Sequence, residues 1–243
     1  MAENITLENL SDCGSSFRIY QDKSKFCFGI DAILLADFAK NMRGKKICDL
    51  CTGNGIIPIL LAEKTKAEEI HGLELQADVA RLATESVKLN KLENRIKIFT
   101  GNLKDVAAIL EKNTYDAVTV NPPYMKANSK TPESSKSIAR QELYCNLEDV
   151  IKAAAKLLKS NGKLFMIHRP ERIAEIFVLL NKYNLGARRL RLVQPDADKK
   201  PTMILIESEK CSRADPVTES TLIIYREKGI YTEEVNRIYG RNC

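Results

Sequence analysis

Histidine is scarce in this 243-residue sequence, which carries His71 and His168 alone. The Cys48-x-x-Cys51 pair therefore lacks further ligands at zinc spacing, and no metal is expected. Cys48 reads instead as a strand residue and Cys51 as part of a turn. The seven cysteines are odd in number and without paired spacing. That argues against a disulfide framework and for a reducing, cytoplasmic compartment. No apolar run approaches the roughly 18 residues of a membrane span. The opening MAENITLENL has neither a basic flank nor an apolar core, so it does not read as a secretory signal. No internal repeat is visible.

What is present is the balance of a soluble globular domain, with 44% hydrophobic and 29% charged residues. The net charge of +6 permits a polyanionic partner without requiring one. A monomer or weak homodimer is expected.

Short apolar runs alternate with helical periodicity, the pattern of βαβ units around a mostly parallel sheet. Strands are expected at 45–50, 69–75, 95–101, 115–120, 163–169 and 187–195, with further short ones at 203–208 and 221–226. Helices are expected at 56–65, 77–92, 106–112, 147–162 and 172–184, the fourth stopped by Gly162. Residues 125–146 are polar and aperiodic and read as a loop. Residues 1–44 read as a preface, with an apolar stretch leading into a helix near Asp31.

The first strand of this series runs into Asp49-Leu50-Cys51-Thr52-Gly53-Asn54-Gly55. Glycines here let the backbone approach a ligand at the carboxyl end of the sheet. The dinucleotide fingerprint G-x-G-x-x-G/A fails, because Pro58 stands where its last small residue belongs. The segment instead matches D-x-G-x-G-x-G, the first motif of S-adenosylmethionine-dependent methyltransferases, with Cys51 replacing the first glycine. Cysteine enters positive φ at a cost, so the replacement weakens the motif and is tolerated readily only if this position stays extended. Glu74 ends the second strand about 20 residues beyond Gly53, the spacing at which a carboxylate receives ribose hydroxyls, and Leu75 follows it. After the third strand, Asn102 can bond an adenine edge and Leu103 can cover its ring. The expected fold is α/β, a Rossmann-like seven-stranded sheet with helices on both faces.

Asn121-Pro122-Pro123-Tyr124 follows the fourth strand directly. The Asn121 side-chain oxygen and the Pro122 carbonyl can accept the two N–H groups of a planar amine. Such acceptors hold the nitrogen still and direct its lone pair at a methyl group. Pro123 stiffens the turn, and Tyr124 can stack on the planar acceptor. An ordinary Asn-Pro-Pro turn would share this composition. An adenine, a cytosine, a guanine 2-amino group and a glutamine amide all fit the motif.

The combination resembles the bacterial methyltransferases that modify the 6-amino group of adenosine 37 in valine tRNA, within the small-domain methyltransferase superfamily. The shared residues include Phe28-Gly29-Ile30-Asp31-Ala32-Ile33-Leu34-Leu35-Ala36, the two motifs above, Ala139-Arg140-Gln141-Glu142, His168-Arg169-Pro170-Glu171-Arg172 and Tyr231-Thr232-Glu233-Glu234. The resemblance implies S-adenosylmethionine as donor and a tRNA anticodon loop as substrate. It also implies that residues 1–44 cover the cofactor pocket, Asp31 among the pocket residues, while 45–243 form the catalytic domain. An adenine in such a loop must be flipped out to react. Lys126, Lys130, Lys136 and Arg140 can then grip flanking phosphates. Arg188, Arg189 and Arg191 are a second candidate patch, and Lys199 with Lys200 a third. Two rival readings remain. A release-factor glutamine methyltransferase shares Asn-Pro-Pro-Tyr but carries a larger helical N-terminal domain than the 44 residues here. A non-catalytic RNA-binding protein would keep the fold alone.

Overall fold

The computed structural model describes residues 4–11, 15–25, 27–42, 44–123, 146–213 and 215–241. A hairpin of β1 (Ile5–Asn9) and β2 (Arg18–Asp22) leads into α1 (Ile30–Ala39). The repeating units follow: β3 (Lys46–Leu50), α2 (Ile56–Lys64), β4 (Glu69–Glu74), α3 (Ala77–Leu89), β5 (Ile96–Thr100), the short α4 (Val106–Ile109) and β6 (Tyr115–Val120). Beyond the undescribed 124–145 come α5 (Leu147–Leu157), β7 (Leu158–His168), α6 (Ile173–Lys182), β8 (Leu185–Gln194) and β9 (Met203–Lys210). The chain then forms β10 (Val217–Thr218), β11 (Leu222–Ile223), β12 (Tyr225–Glu227), β13 (Ile230–Tyr231) and α7 (Glu233–Ile238).

The main sheet runs β10-β8-β9-β7-β6-β3-β4-β5, with β11 also on β8. Strands β5, β4, β3, β6 and β7 are mutually parallel, while β9 lies antiparallel between β7 and β8. Among the described residues this sheet has nine strands: the expected seven, β3 to β9, and the two-residue β10 and β11 added along β8. Strand order reverses between β3 and β6, and there the carboxyl ends open a crevice.

Side chains alternate across the sheet at the period of 2. Ile47, Ile70, Ala117, Phe165 and Leu205 enter a core under α1, α2 and α7. Cys48, Leu50, Val118, Val120, Leu164 and Ile206 enter a second core with α5 and α6. Both faces are covered, which suits a parallel sheet with apolar residues on each side. Among the described residues, no helix is long and apolar enough to cross a membrane.

Three expectations change. The preface contains a strand pair, β1 with β2. The helix expected over 147–162 ends at Leu157, because Leu158 leaves the helix to pair with Tyr115. Gly162 sits inside β7, where a Cβ would come 2.9 Å from the Lys159 carbonyl and 3.0 Å from that of Tyr115. The segment expected as one strand at 221–226 divides into β11 and β12.

The β8 arginines are occupied within the fold. Arg189 donates to Glu207 (2.8 Å), to Glu219 (3.0 Å) and to the Phe38 carbonyl (2.7 Å), with its guanidinium 3.8 Å above the Phe38 ring. Arg191 pairs with Glu234 at 2.7 Å, and Arg188 faces Glu209 at 3.5 Å. These charges are neutralised by carboxylates from β9, from α7 and from the chain after β10. They do not form an open cationic stripe for phosphates.

Candidate active site

The parallel register brings the ends of β3, β4, β5 and β6 together. Asp49 of β3 is fully buried and accepts from the Thr119 hydroxyl of β6 at 2.7 Å. Burial raises the Asp49 carboxyl to about 7, the Thr119 and Thr52 hydroxyls pull against it, and the Glu74 carboxylate adds to the rise. The bond joins the strand that leads into the glycine turn to the strand that ends in Asn121.

After Leu50 the chain turns sharply. Cys51 has φ +58°, Gly53 φ +56° and Gly55 φ +86°. The extended conformation that would make Cys51 an easy replacement is not met: the residue occupies the left-handed region that a glycine would enter without a Cβ penalty. At Gly53 nothing lies within 4 Å of where a Cβ would stand, so the turn presents bare backbone to open space. At Gly55 a Cβ would meet that of Ala83 at 3.2 Å, which brings the start of α2 close against α3. Pro58 lies in the first turn of α2, where its missing N–H has no helical acceptor to lose.

Glu74 is 7% exposed and its carboxylate is already oriented. It accepts from the Gly53 amide at 2.9 Å and from the Gln76 amide at 3.0 Å. This clamp couples the end of β4 to the turn after β3. Leu75 next to it is 41% exposed, an apolar side chain beside a buried carboxylate. At the end of β5, the Asn102 side-chain oxygen accepts from the Lys104 amide at 3.0 Å and caps a short 3-10 turn. Its amide nitrogen has no partner in that contact. Leu103 is buried in the second core, so its side chain packs beneath the loop.

Asn121 lies at the head of the undescribed segment, with Pro122 buried and Pro123 exposed. Its side-chain nitrogen donates to the Asp31 carboxylate at 3.0 Å. Asp31, 8% exposed in the first turn of α1, thus sits within reach of the motif after β6. Tyr124, Lys126, Lys130, Lys136 and Arg140 lie outside the described residues. His168, buried at the end of the neighbouring β7, accepts from the Arg169 amide at 2.8 Å. Burial, reinforced by the Arg172 charge, lowers its imidazole to about 4, so it is neutral at physiological pH.

One contributor lies outside the motifs. Gln21 of β2 is 3% exposed, and its side-chain oxygen accepts from the Phe28 amide at 3.1 Å and from the Asn54 side chain at 3.4 Å. It ties the hairpin to the glycine turn. Its signal in sequence was weak: a polar residue inside a short alternating run.

The residues fit an adenosyl cofactor. There is an open glycine backbone at Gly53, a fixed acidic group at Glu74, an exposed apolar side chain at Leu75 and an amide at Asn102. Among the described residues, no three His, Cys, Asp or Glu side chains gather into a metal cluster.

Two outcomes follow from the turn and from the buried carboxyl. Cys51→Gly relieves the left-handed residue and is expected to raise stability by about 0.5–1 kcal/mol, less than the full conformational cost because glycine loosens the unfolded chain. Urea unfolding would read that gain; a loss instead would mean that Cys51 packing outweighs its backbone strain. Asp49 binds its proton more tightly folded than unfolded, so its contribution is full below about pH 4 and fades as pH rises to about 7. Asp49→Asn should therefore remove a decline in stability across that window. Urea midpoints measured from pH 4 to 8 would show a flatter curve for the variant, and parallel curves would contradict the assignment.

Comparison with known proteins places this geometry. The curated relatives include the tRNA1(Val) (adenine(37)-N6)-methyltransferase of Parabacteroides distasonis, 28% identical over 222 residues, covering 91% of this chain and 92% of the relative. The protein of the same name from Porphyromonas gingivalis is 28% identical over 231 residues, covering 91% and 90%. Among solved structures, a predicted O-methyltransferase from Agrobacterium tumefaciens superposes with a TM-score of 0.71 at 24% identity, covering 86% of this chain and 95% of its own. Pyrococcus horikoshii TYW2 in complex with MeSAdo superposes with a TM-score of 0.60 at 15% identity, covering 87% and 73%. These two likenesses speak to the fold alone. The model of the methyltransferase small domain matches residues 28–183, a span that runs from the residues before α1 through the glycine turn and Asn121 to the end of α6. With that match across most of the sheet and its crevice, the chain belongs to the methyltransferase small domain family.

Proposed function

We propose that this protein transfers a methyl group from S-adenosylmethionine to the 6-amino nitrogen of adenosine 37 in the anticodon loop of a tRNA. The observation that carries the reading is the orientation of Asn121. Its amide nitrogen is committed to Asp31, which leaves its oxygen as the acceptor end at the carboxyl edge of β6. The names of the curated relatives support adenine as the acceptor and tRNA as its carrier.

The chemistry asked of the chain is modest. The bound cofactor supplies a methyl carbon activated by the positive charge on its sulfur. Glu74 would receive the ribose hydroxyls, and the Gly53 backbone would give the ligand close access at the end of β3. Leu75, exposed beside Glu74, would cover the adenine ring, and the Asn102 amide would bond its edge. Asn121 and the Pro122 carbonyl accept the two N–H bonds of the target amine. Holding both hydrogens fixes the nitrogen and aims its lone pair along the axis of displacement. Developing positive charge on that nitrogen strengthens both hydrogen bonds, so they favour the transition state over the ground state. The methylated nitrogen is strongly acidic until it loses a proton, so water can take that proton without a dedicated base. Tyr124 is proposed to stack on the flipped adenine. Lys126, Lys130, Lys136 and Arg140 are proposed to hold the phosphates beside it.

Transfer of labelled methyl to total tRNA from a strain lacking the gene, followed by nucleoside mass spectrometry, tests this reading. N6-methyladenosine should appear at position 37. Asn121→Ala should lower the rate by roughly 100- to 1,000-fold while cofactor affinity persists. Label in release factor but not in tRNA would overturn the substrate assignment. Cofactor binding without transfer to RNA or protein would overturn the enzymatic one.

A further inference from the structure

We infer that Asp31 is a positioning residue that sets which end of the Asn121 amide faces the acceptor. The inference rests on the role proposed for Asn121. A terminal amide has two ends of nearly equal shape and opposite hydrogen-bonding sense. Turned one way, Asn121 offers an acceptor to an amine; turned the other, it offers two N–H donors to a group that is itself a donor. Packing alone discriminates poorly between these states. A carboxylate decides the matter, because when ionised it only accepts. The Asp31 Oδ2 to Asn121 Nδ2 contact of 3.0 Å holds the nitrogen on the α1 side, so the oxygen is the end that remains.

The surroundings hold Asp31 in place. It lies in the first turn of α1, a helix buried along most of its length, including Ala32 to Ala36. Its other oxygen, Oδ1, accepts from the Ala32 amide at 3.0 Å. The preceding Gly29 makes room for it: a Cβ there would stand 2.9 Å from Asp31 Oδ1. Gly29 has an extended backbone, with φ −119°, so space for the carboxylate and not backbone freedom is what glycine provides. The Phe28-Gly29-Ile30-Asp31 segment thus serves the motif 90 residues downstream.

A competing role, capture of the cofactor by the Asp31 carboxylate, makes a different kinetic signature. If Asp31 acts through Asn121, Asp31→Ala lowers kcat by roughly 10- to 100-fold with cofactor Kd unchanged. Asp31→Asn, with its oxygen kept on the Ala32 amide, turns N–H groups toward Asn121 in place of an acceptor and should lose rate nearly as Asp31→Ala does. Asp31→Ala added to Asn121→Ala brings no further loss, since the group to be oriented is gone. The sharpest arm is an exchange. Asn121→Asp alone sets two carboxylates face to face and is expected to be nearly inactive. Adding Asp31→Asn restores a donor opposite an acceptor and should recover at least about 10-fold in rate. Cofactor Kd by calorimetry and kcat on tRNA are read for every variant, with circular dichroism to confirm folding. Additive losses, no recovery in the exchanged pair, or a raised cofactor Kd with kcat intact would each overturn the positioning role. Wild-type protein inactive on tRNA would instead defeat the substrate reading. In that event the same variants would be scored on release factor.

Discussion

The buried hydrogen bond between Asp49 and Thr119 is the contact on which the geometry of the crevice depends. It crosses from β3 to β6 where strand order reverses, two residues before Cys51 and two before Asn121. One strand leads into the turn that accepts a ligand, and the other into the motif proposed to hold the methyl acceptor. A carboxyl without charge compensation at full burial is costly, and its raised proton affinity expresses that cost. The hydroxyl bond offsets part of it and fixes the strands in register at the point where spacing matters.

From that anchor the site is assembled by pairs of elements, each pair joined by a polar contact. Glu74 and the Gly53 amide connect β4 to the turn after β3. Gln21 connects the hairpin to the same turn through Asn54. Asp31 connects α1 to the end of β6. The first residues of the chain are thus structurally engaged with the crevice, although they precede the repeating βαβ units. Main-chain donors and committed side chains do most of this work.

Much of this was legible in sequence. Strands β3, β4, β5 and β6 announced themselves as short apolar runs, and β6 matched its expected bounds at 115–120. Glycine spacing and Glu74 located the turn and its clamp. Local pattern failed where tertiary pairing decided the outcome. Leu158 carries helical periodicity forward, yet Tyr115 draws it into a sheet. Arg189 reads as surface charge, yet Glu207 and Phe38 enclose it. Cys51 takes a left-handed conformation because the turn demands it, whatever the preference of a cysteine. Asp31 stood out as a helix-start acid within the apolar stretch; its contact with Asn121 spans too much sequence for any local rule to reveal.

A crystal structure with S-adenosylhomocysteine tests the central claim most directly. The account predicts ribose hydroxyls on Glu74, backbone contact at Gly53 and the sulfur facing the Asn121 side-chain oxygen across space wide enough for one methyl and one amine. A ligand bound away from Gly53, or a sulfur turned from Asn121 with that amide reversed, would contradict it.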